Sequence, residues 1–192
     1  MGRTVVVAAG RTGDGPEHRE APMTTTPTPE ARDLLQTLDA HRGFLRQTVR
    51  GLADDQLALR TSASELCLGG ILKHVTAAER QWTRFIVEGP SAIPPFDEST
   101  YAAYRAQFAV GPDDTVATLL AAYEAVARAT ADLVAGLPDL DVDHPLPEAP
   151  WFEPGARWSS RRALLHVLAE TAQHAGHADI IREGIDGAKT MG

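Results

Sequence analysis

Cysteine is almost absent from the 192-residue chain, because Cys67 is the only one. A single cysteine excludes a disulfide within the chain and any zinc site that is built from several thiolates. This usage fits a reducing compartment, so we predict a cytoplasmic protein. Cys67 itself stands between two leucines near the predicted start of a helix. We interpret it as a small buried residue and a poor candidate for a nucleophile.

Long apolar runs and an excess of positive charge are also missing. The run VVVAA near the N-terminus is too short for a signal peptide or a membrane span. The 26 acidic residues outnumber the 18 basic ones, which gives a net charge of −8. This balance argues against a surface that binds a phosphate backbone. We therefore expect neither nucleic acid nor a membrane as a partner.

The first 28 residues lack the apolar periodicity of a core segment. The stretches GRTGDGPEHRE and TTTPTPE are polar and rich in Gly, Pro and Thr, a composition typical of disorder. We predict a disordered extension over residues 1–28 and one domain over residues 29–188. Met23 directly precedes TTTPTPEARDLL and is a second candidate for the start of the protein, so the status of residues 1–22 stays open.

Apolar residues recur at helical intervals in four long segments. The predicted helices cover residues 29–51, 66–87, 113–137 and 158–187. A proline-rich connector lies between the second and third of them; it could hold a short helix in STYAAYRAQF and could serve as a lid. We find no convincing alternating pattern of a strand. The sequence thus predicts an all-α four-helix bundle with long irregular connections.

The last predicted helix carries a stripe of four side chains that can bind metals. At about 100° per residue, the spacings of four, four and three residues place them in one quadrant: His166, Glu170, His174 and His177. Residues one turn apart have Cβ atoms about 5–6 Å apart, so two of them can reach one ion. Glu170 and His174 form such a pair, and a third ligand from a neighbouring helix would complete a site with an open position. The alternative is a solvated polar face.

The second predicted helix holds a candidate for that third ligand. His74 lies at the edge of the apolar stripe, where it could point into a cleft between helices or into solvent. Glu79, together with Lys73 and two arginines, is interpreted as part of a solvated face. Gly69 and Gly70 near the start of this helix would allow another backbone to approach closely.

Two other histidines and two loop aromatics are interpreted as structural. His41 is predicted to point inward from the first helix, as a hydrogen-bonded core residue more than as a ligand. His144 lies in a proline-rich loop, where we predict a solvated turn residue. Trp151 and Phe152 are unusual for an exposed loop, so we expect them to pack over one end of the bundle or to line a pocket.

Two ordered segments resemble the signature segments of a known family. They are LGGILKHVTAAERQW on the second predicted helix and WSSRRALLHVLAETAQHAGHADIIREGIDG on the fourth. Both are similar to the DinB-like four-helix-bundle superfamily, and within it to the actinobacterial branch related to mycothiol-dependent transferases. The similarity extends over residues 25–187. It implies an up-down-down-up order of helices, often a homodimer, and no polymerase activity.

The resemblance also implies a set of metal ligands. Members of the superfamily generally bind a divalent metal through one histidine of the second helix and two residues one turn apart on the fourth. These positions fall on His74, Glu170 and His174. Most relatives have histidine in place of Glu170, whereas the maleylpyruvate isomerase-like thiol-dependent members have glutamate. His177 stands where many relatives have glutamine, and is either a group behind the ligands or an extra ligand.

The resemblance implies that the protein is a metal-dependent thiol S-transferase with a role in detoxification. It would join a low-molecular-weight thiol, such as mycothiol or bacillithiol, to small electrophiles. Two neutral imidazoles and one carboxylate leave a divalent ion with a net positive charge and open positions, where an incoming thiol would lose its proton. Zinc is the first expectation, and nickel, iron and manganese also suit these donors.

Three other functions remain open on the sequence alone. A metal-dependent hydrolase would use bound water in place of the thiol, although the chain has no H-E-x-x-H motif of a zinc peptidase. A di-iron protein would need Glu-x-x-His pairs on two helices, and the chain has none. A non-enzymatic stress protein that binds a metal or ligand would use the same scaffold without turnover.

Overall fold

The computed structural model describes Met1 and residues 27–190. The predicted disordered extension lies almost wholly outside the described residues, so its disorder stays a prediction. The first helix begins at Pro29, where the Thr28 hydroxyl accepts a hydrogen bond of 3.2 Å from the backbone N–H of Ala31. Threonine suits this position because its hydroxyl satisfies an N–H that lacks a partner within the helix.

The described part of the chain folds into five α-helices and two very short strands. The helices are α1 (Pro29–Thr48), α2 (Leu68–Glu88), α3 (Glu98–Ala106), α4 (Val116–Gly136) and α5 (Ser160–Asp186). The four long ones confirm the all-α prediction, and their ends differ from the predicted ends by at most three residues. The short helix α3 confirms the helix predicted in the proline-rich connector. None of the described helices is long and apolar enough to cross a membrane.

Helices α1 and α5 run in the same direction. Arg161 at the start of α5 forms an ion pair with Glu30 at the start of α1. At the other end, the Arg182 guanidinium donates a hydrogen bond of 2.9 Å to the backbone carbonyl of Thr48. Arg182 thus satisfies a carbonyl at the C-terminus of α1 that has no partner within that helix. The two contacts hold α5 against α1 along its length.

Helix α2 runs opposite to α5, because residues early in one helix contact residues late in the other. The rings of His74 and His174 lie 4.9 Å apart, whereas the ring of Trp82, two turns further along α2, lies 4.8 Å from His166. The contacts thus follow α2 forward and α5 backward, so the two helices are antiparallel.

Helix α4 runs opposite to α1 and hence parallel to α2. The backbone N–H of Val116 donates to Asp54, just beyond the end of α1, at 2.8 Å, and Arg46 pairs with Glu124 at 2.7 Å. The four long helices therefore run up, down, down and up. This is the order that the resemblance to DinB-like proteins implies.

Two strands of three residues, β1 (Asp143–Pro145) and β2 (Arg157–Ser159), form a small antiparallel sheet before α5. They are too short to show an alternating sequence pattern. The prediction of a solvated turn for His144 is wrong, because its Nε2 lies 3.1 Å from the carbonyl oxygen of Ile86 and its ring contacts Phe85 edge-on. The pairing of β1 with β2 places His144 over the end of α2.

A buried ion pair crosses the bundle interior between α1 and α2. Both oxygens of Glu79 accept hydrogen bonds from the guanidinium of Arg42, and the Thr130 hydroxyl on α4 donates to Glu79 at 2.6 Å. Glu79 is 0% exposed, so its assignment to a solvated face is wrong. The inward position predicted for His41 is correct only in part, because His41 is half-buried and the next residue, Arg42, is buried.

The chain after α3 passes directly over the first turn of α2. A Cβ atom on Gly70 would lie 2.1 Å from the carbonyl oxygen of Phe108, and one on Gly69 would lie 2.7 Å from a methyl carbon of Val110. The predicted close approach of another backbone at these glycines is confirmed. Any side chain at Gly70 would displace the segment that holds Phe108.

Replacement of Gly70 by alanine is expected to lower the free energy of unfolding by about 1–3 kcal/mol, because the new methyl group overlaps a backbone that cannot rotate away. Urea unfolding followed by circular dichroism measures the change. Gly43→Ala on α1 is the matched control, since its Cβ would meet no atom within 4 Å. That variant is expected to gain about 0.5–1 kcal/mol. Equal stability of the two variants would contradict the close approach.

Candidate metal centre

His74, Glu170 and His174 meet in the interface between α2 and α5. One ligand atom of each lies within 4.8 Å of those of the other two. Glu170 Oε2 lies 3.4 Å from His74 Nε2 and 3.7 Å from His174 Nε2. An ion with tetrahedral bonds of about 2.0–2.1 Å keeps its ligand atoms roughly 3.3 Å apart. The two separations that involve Glu170 are therefore close to those between the ligands of one ion.

The local sequence explains why these side chains converge. Glu170 and His174 are one turn apart on α5, so they project from the same side of the helix. His74 faces them because α2 runs antiparallel to α5. It is only 4% exposed. The sequence reasoning left His74 open between a cleft and solvent, and the structure places it in the cleft.

Burial keeps the imidazole of His174 neutral. The pKa of His174 is lowered to about 4, mainly by loss of solvent contact and also by the nearby His74, whereas the carboxylate of Glu170 opposes the shift. The pKa of Glu170 is lowered from its usual value, first by the hydrogen bond from His74 and against the effect of its own burial. At neutral pH the pair thus presents a neutral ring nitrogen and a carboxylate, the states in which these groups bind metals.

Residues at the end of α3 and just beyond it cover His74. The ring of Phe108 stacks on the imidazole at 4.2 Å, and Tyr104 contacts it edge-on at 5.6 Å. Gln107 Oε1 lies 3.4 Å from His74 Nδ1. An amide oxygen and a carboxylate oxygen can only accept, so the neutral ring donates either to Gln107 through Nδ1 or to Glu170 through Nε2; the first of these tautomers leaves Nε2 free as the ligand atom. None of these three residues was predicted from the sequence. The only related expectation was that the proline-rich connector could serve as a lid.

The other two histidines of the α5 stripe flank the cluster. His177 Nδ1 lies 3.5 Å from His174 Nδ1, the nitrogen of His174 that does not face Glu170. This contact favours a place behind the ligands over an extra ligand. His166 Nε2 lies 3.9 Å from Glu170 Oε1, and burial lowers the pKa of His166.

A cavity of about 630 Å³ opens beside His74 and Glu170. Its volume lies within the range of small-molecule sites. The aromatic residues that line it come from α2, from the connector that contains α3, and from the loop before β2: Trp82, Phe96, Tyr101, Tyr104, Trp151 and Phe152. The expectation that Trp151 and Phe152 line a pocket is confirmed. The cavity gives a small molecule access to the candidate metal centre.

Residues 33–187 match the family model of the mycothiol-S-transferases. The chain belongs to the mycothiol-S-transferase family. The match includes both segments on which the resemblance rests, so the identified family confirms it. Among solved structures, the sibling lethal factor precursor DfsB, a protein of DinB-like fold, is 15% identical with a TM-score of 0.63, over 84% of this chain and 99% of that one. At this identity the likeness shows the fold alone. No curated protein matches the chain.

Cys67 does not contribute to the cavity of this member of the mycothiol-S-transferase family. It is 4% exposed, and its thiol points toward the carbonyl oxygen of Phe108 at 3.9 Å. This agrees with its interpretation as a small buried residue. A thiol that reacts at the site would have to come from a second molecule.

Proposed function

We propose that the chain is a metal-dependent thiol S-transferase. It joins a low-molecular-weight thiol of the mycothiol type to a small electrophile, with a divalent ion held by His74, Glu170 and His174. The observation that carries the proposal is the convergence of these three donors beside a cavity, in a chain of the mycothiol-S-transferase family. Cytoplasmic location, assembly as a homodimer, a role in detoxification and a single domain over residues 29–188 are proposed from the sequence alone.

The donors fit a divalent ion of borderline softness. Two imidazole nitrogens and one carboxylate oxygen form a common three-residue set of catalytic zinc sites and also suit nickel, iron or manganese. An ion bound there would supply positive charge that lowers the pKa of an approaching thiol. Zinc is the first candidate because three protein ligands leave it an open position.

The protein's own side chains orient the donors and limit the access of water. Gln107 offers an acceptor to the tautomer of His74 that leaves Nε2 free, and Phe108 and Tyr104 cover the imidazole. Glu170 faces both histidines, so its carboxylate also aligns them. Ordered donors lose little conformational entropy when they bind an ion, which strengthens binding.

The test is S-conjugation by purified protein that has been loaded with zinc, nickel, iron or manganese. With mycothiol and monochlorobimane we expect a fluorescent conjugate to form at a rate well above the reaction without protein. Cys67→Ala is the matched control and is expected to keep this rate, because the thiol comes from the cosubstrate. Absence of conjugation with every physiological thiol would overturn the proposal, as would turnover of esters or amides without any thiol.

A further inference from the structure

We infer that the cavity beside the candidate metal centre binds the electrophile, and that this electrophile is an uncharged molecule with an aromatic or similarly flat apolar ring. The inference rests on the proposed S-transferase function and names the substrate class of the same site. Three features of the cavity support the inference. They are a connected set of aromatic rings, described lining residues that include no lysine or arginine, and exposed rings at the mouth of the cavity.

The aromatic rings around the cavity form one connected series. Phe96 contacts Trp151 edge-on at 4.7 Å, Trp151 contacts Phe152 at 6.0 Å, and Phe152 contacts Trp158 at 5.7 Å. Trp158 in turn stacks on Trp82 at 4.6 Å. Rings that contact each other in this way hold one another in place. They offer faces and edges for a flat ligand, a geometry that favours stacked and edge-on pairs.

The described residues of the lining include no lysine or arginine, which bears on the charge of the ligand. Apart from two tyrosines, the charged or titratable side chains among them are Glu170, His74 and His166. Arg162 lies nearby but stacks over the ring of Trp158 at 4.3 Å and does not line the cavity. A carboxylate among the aromatic rings, out of reach of the candidate metal centre, would lose water without gaining a partner, which is costly. The lining thus selects against anionic electrophiles.

Several of the rings remain exposed although they are large. Trp151 is 61% exposed, and Phe96, Tyr101 and Tyr104 are each about half exposed. Clustered exposed apolar side chains commonly mark a binding site. A flat ligand between them would bury apolar area on both of its faces, and burial of apolar area favours binding. An apolar ligand is therefore expected to bind most favourably at the mouth of the cavity.

The lining suits the electrophile better than the thiol. Mycothiol-type thiols carry many hydroxyl and amide groups, and each of them needs a hydrogen-bond partner when it is buried. Away from the candidate metal centre, the polar side chains of the cavity are few: Gln81, Thr100, Gln107, Tyr101 and Tyr104. A thiol with a large polar body would leave many of its groups unpaired among the rings.

The experiment compares two probes without a leaving group on the ring, methyl 3,5-dinitrobenzoate and the 3,5-dinitrobenzoate anion, which differ in charge and in one methyl group. Each is titrated without thiol into full-length protein, in zinc-free form for the comparison of charge because the anion could bind the ion, and in zinc-loaded form for the addition of mycothiol; binding is followed by quenching of tryptophan fluorescence. We expect the neutral ester to bind at least about tenfold more tightly than the anion. Trp151→Ala is expected to lower the affinity for the ester about tenfold. This factor corresponds to about 1.4 kcal/mol, the effect of a lost ring contact. Leu59→Ala removes an exposed apolar residue outside the cavity and should change nothing.

Addition of mycothiol to the ester complex identifies the occupant. Retention of the ester in the presence of mycothiol supports the assignment, whereas its displacement would overturn the assignment in favour of the thiol. Equal or tighter binding of the anion, or equal affinity of the Trp151→Ala variant, would overturn the inference too. None of these arms requires turnover. Selective binding of the ester by a protein that transfers no thiol would therefore overturn the proposed function and support the specificity of the cavity.

Discussion

The Glu170→Gln variant is expected to keep its helices and to lose its divalent ion. The amide has almost the same shape as the carboxylate but no negative charge, and only its oxygen, not its nitrogen, can bind a metal ion. Loss of a partner that only orients a ligand costs about 10–100-fold in metal affinity, so loss of a ligand should cost more than about a hundredfold. We expect S-transfer to fall by at least that factor. Plasma mass spectrometry of dialysed protein and chelator competition measure the metal.

The matched control for this variant is Gln173→Ala, on the same helix but on its exposed side. It is expected to keep one ion per chain, full S-transfer and the same circular dichroism. If Glu170→Gln binds zinc, nickel, iron and manganese as tightly as the unchanged protein, the carboxylate is not a ligand. In that case the ion, if there is one, lies elsewhere, and the proposed centre is wrong.

The candidate centre could be predicted because its residues follow short-range rules. Glu170 and His174 are one turn apart, and helical periodicity alone places them on the same side of α5. His74 needed the resemblance, since its position at the edge of a stripe left two orientations open. The long helices were predictable for the same reason, because each carries an apolar stripe over several turns.

The cover of the centre could not be predicted, because it depends on contacts between distant parts of the chain. Tyr104, Gln107 and Phe108 follow a proline-rich segment without periodicity, and α3 buries none of its own residues. Their position over His74 is fixed by the passage of the backbone across Gly70. The two glycines were noticed in the sequence, but nothing there indicated which backbone would approach them.

The buried position of Glu79 was indicated by helical periodicity, but its charged neighbours in the sequence indicated solvent instead. It lies one turn after Val75 and nearly one turn before Trp82, both of them buried, so periodicity places it on the inner side of α2. Lysine and arginine neighbours in the sequence suggested a solvated side instead. A carboxylate inside a bundle is costly without a partner. Its partner, Arg42, lies on α1 and could not be identified from local sequence.

The Glu79→Ala variant is expected to lose about 3–5 kcal/mol of the free energy of unfolding, the largest effect that we expect of a substitution outside the candidate metal centre. The reason is that Arg42, 3% exposed, would keep its charge with no carboxylate to receive its hydrogen bonds. The Thr130 hydroxyl would keep only its bond to the carbonyl of Val126. Urea unfolding measures the loss.

The double variant Arg42→Met, Glu79→Leu distinguishes two quantities. One is the net contribution of the ion pair to the free energy of unfolding, and the other is the destabilisation that follows when one buried charge loses its partner. Removal of both charges leaves apolar side chains of similar volume, and such replacements are often neutral or stabilising. We expect the double variant to unfold near the midpoint of the unchanged protein, far above Glu79→Ala. A double variant as unstable as Glu79→Ala would mean that the pair contributes its own stability. Recovery would mean that the pair adds little net stability, and that the bundle owes its stability to the buried apolar stripes of its four long helices.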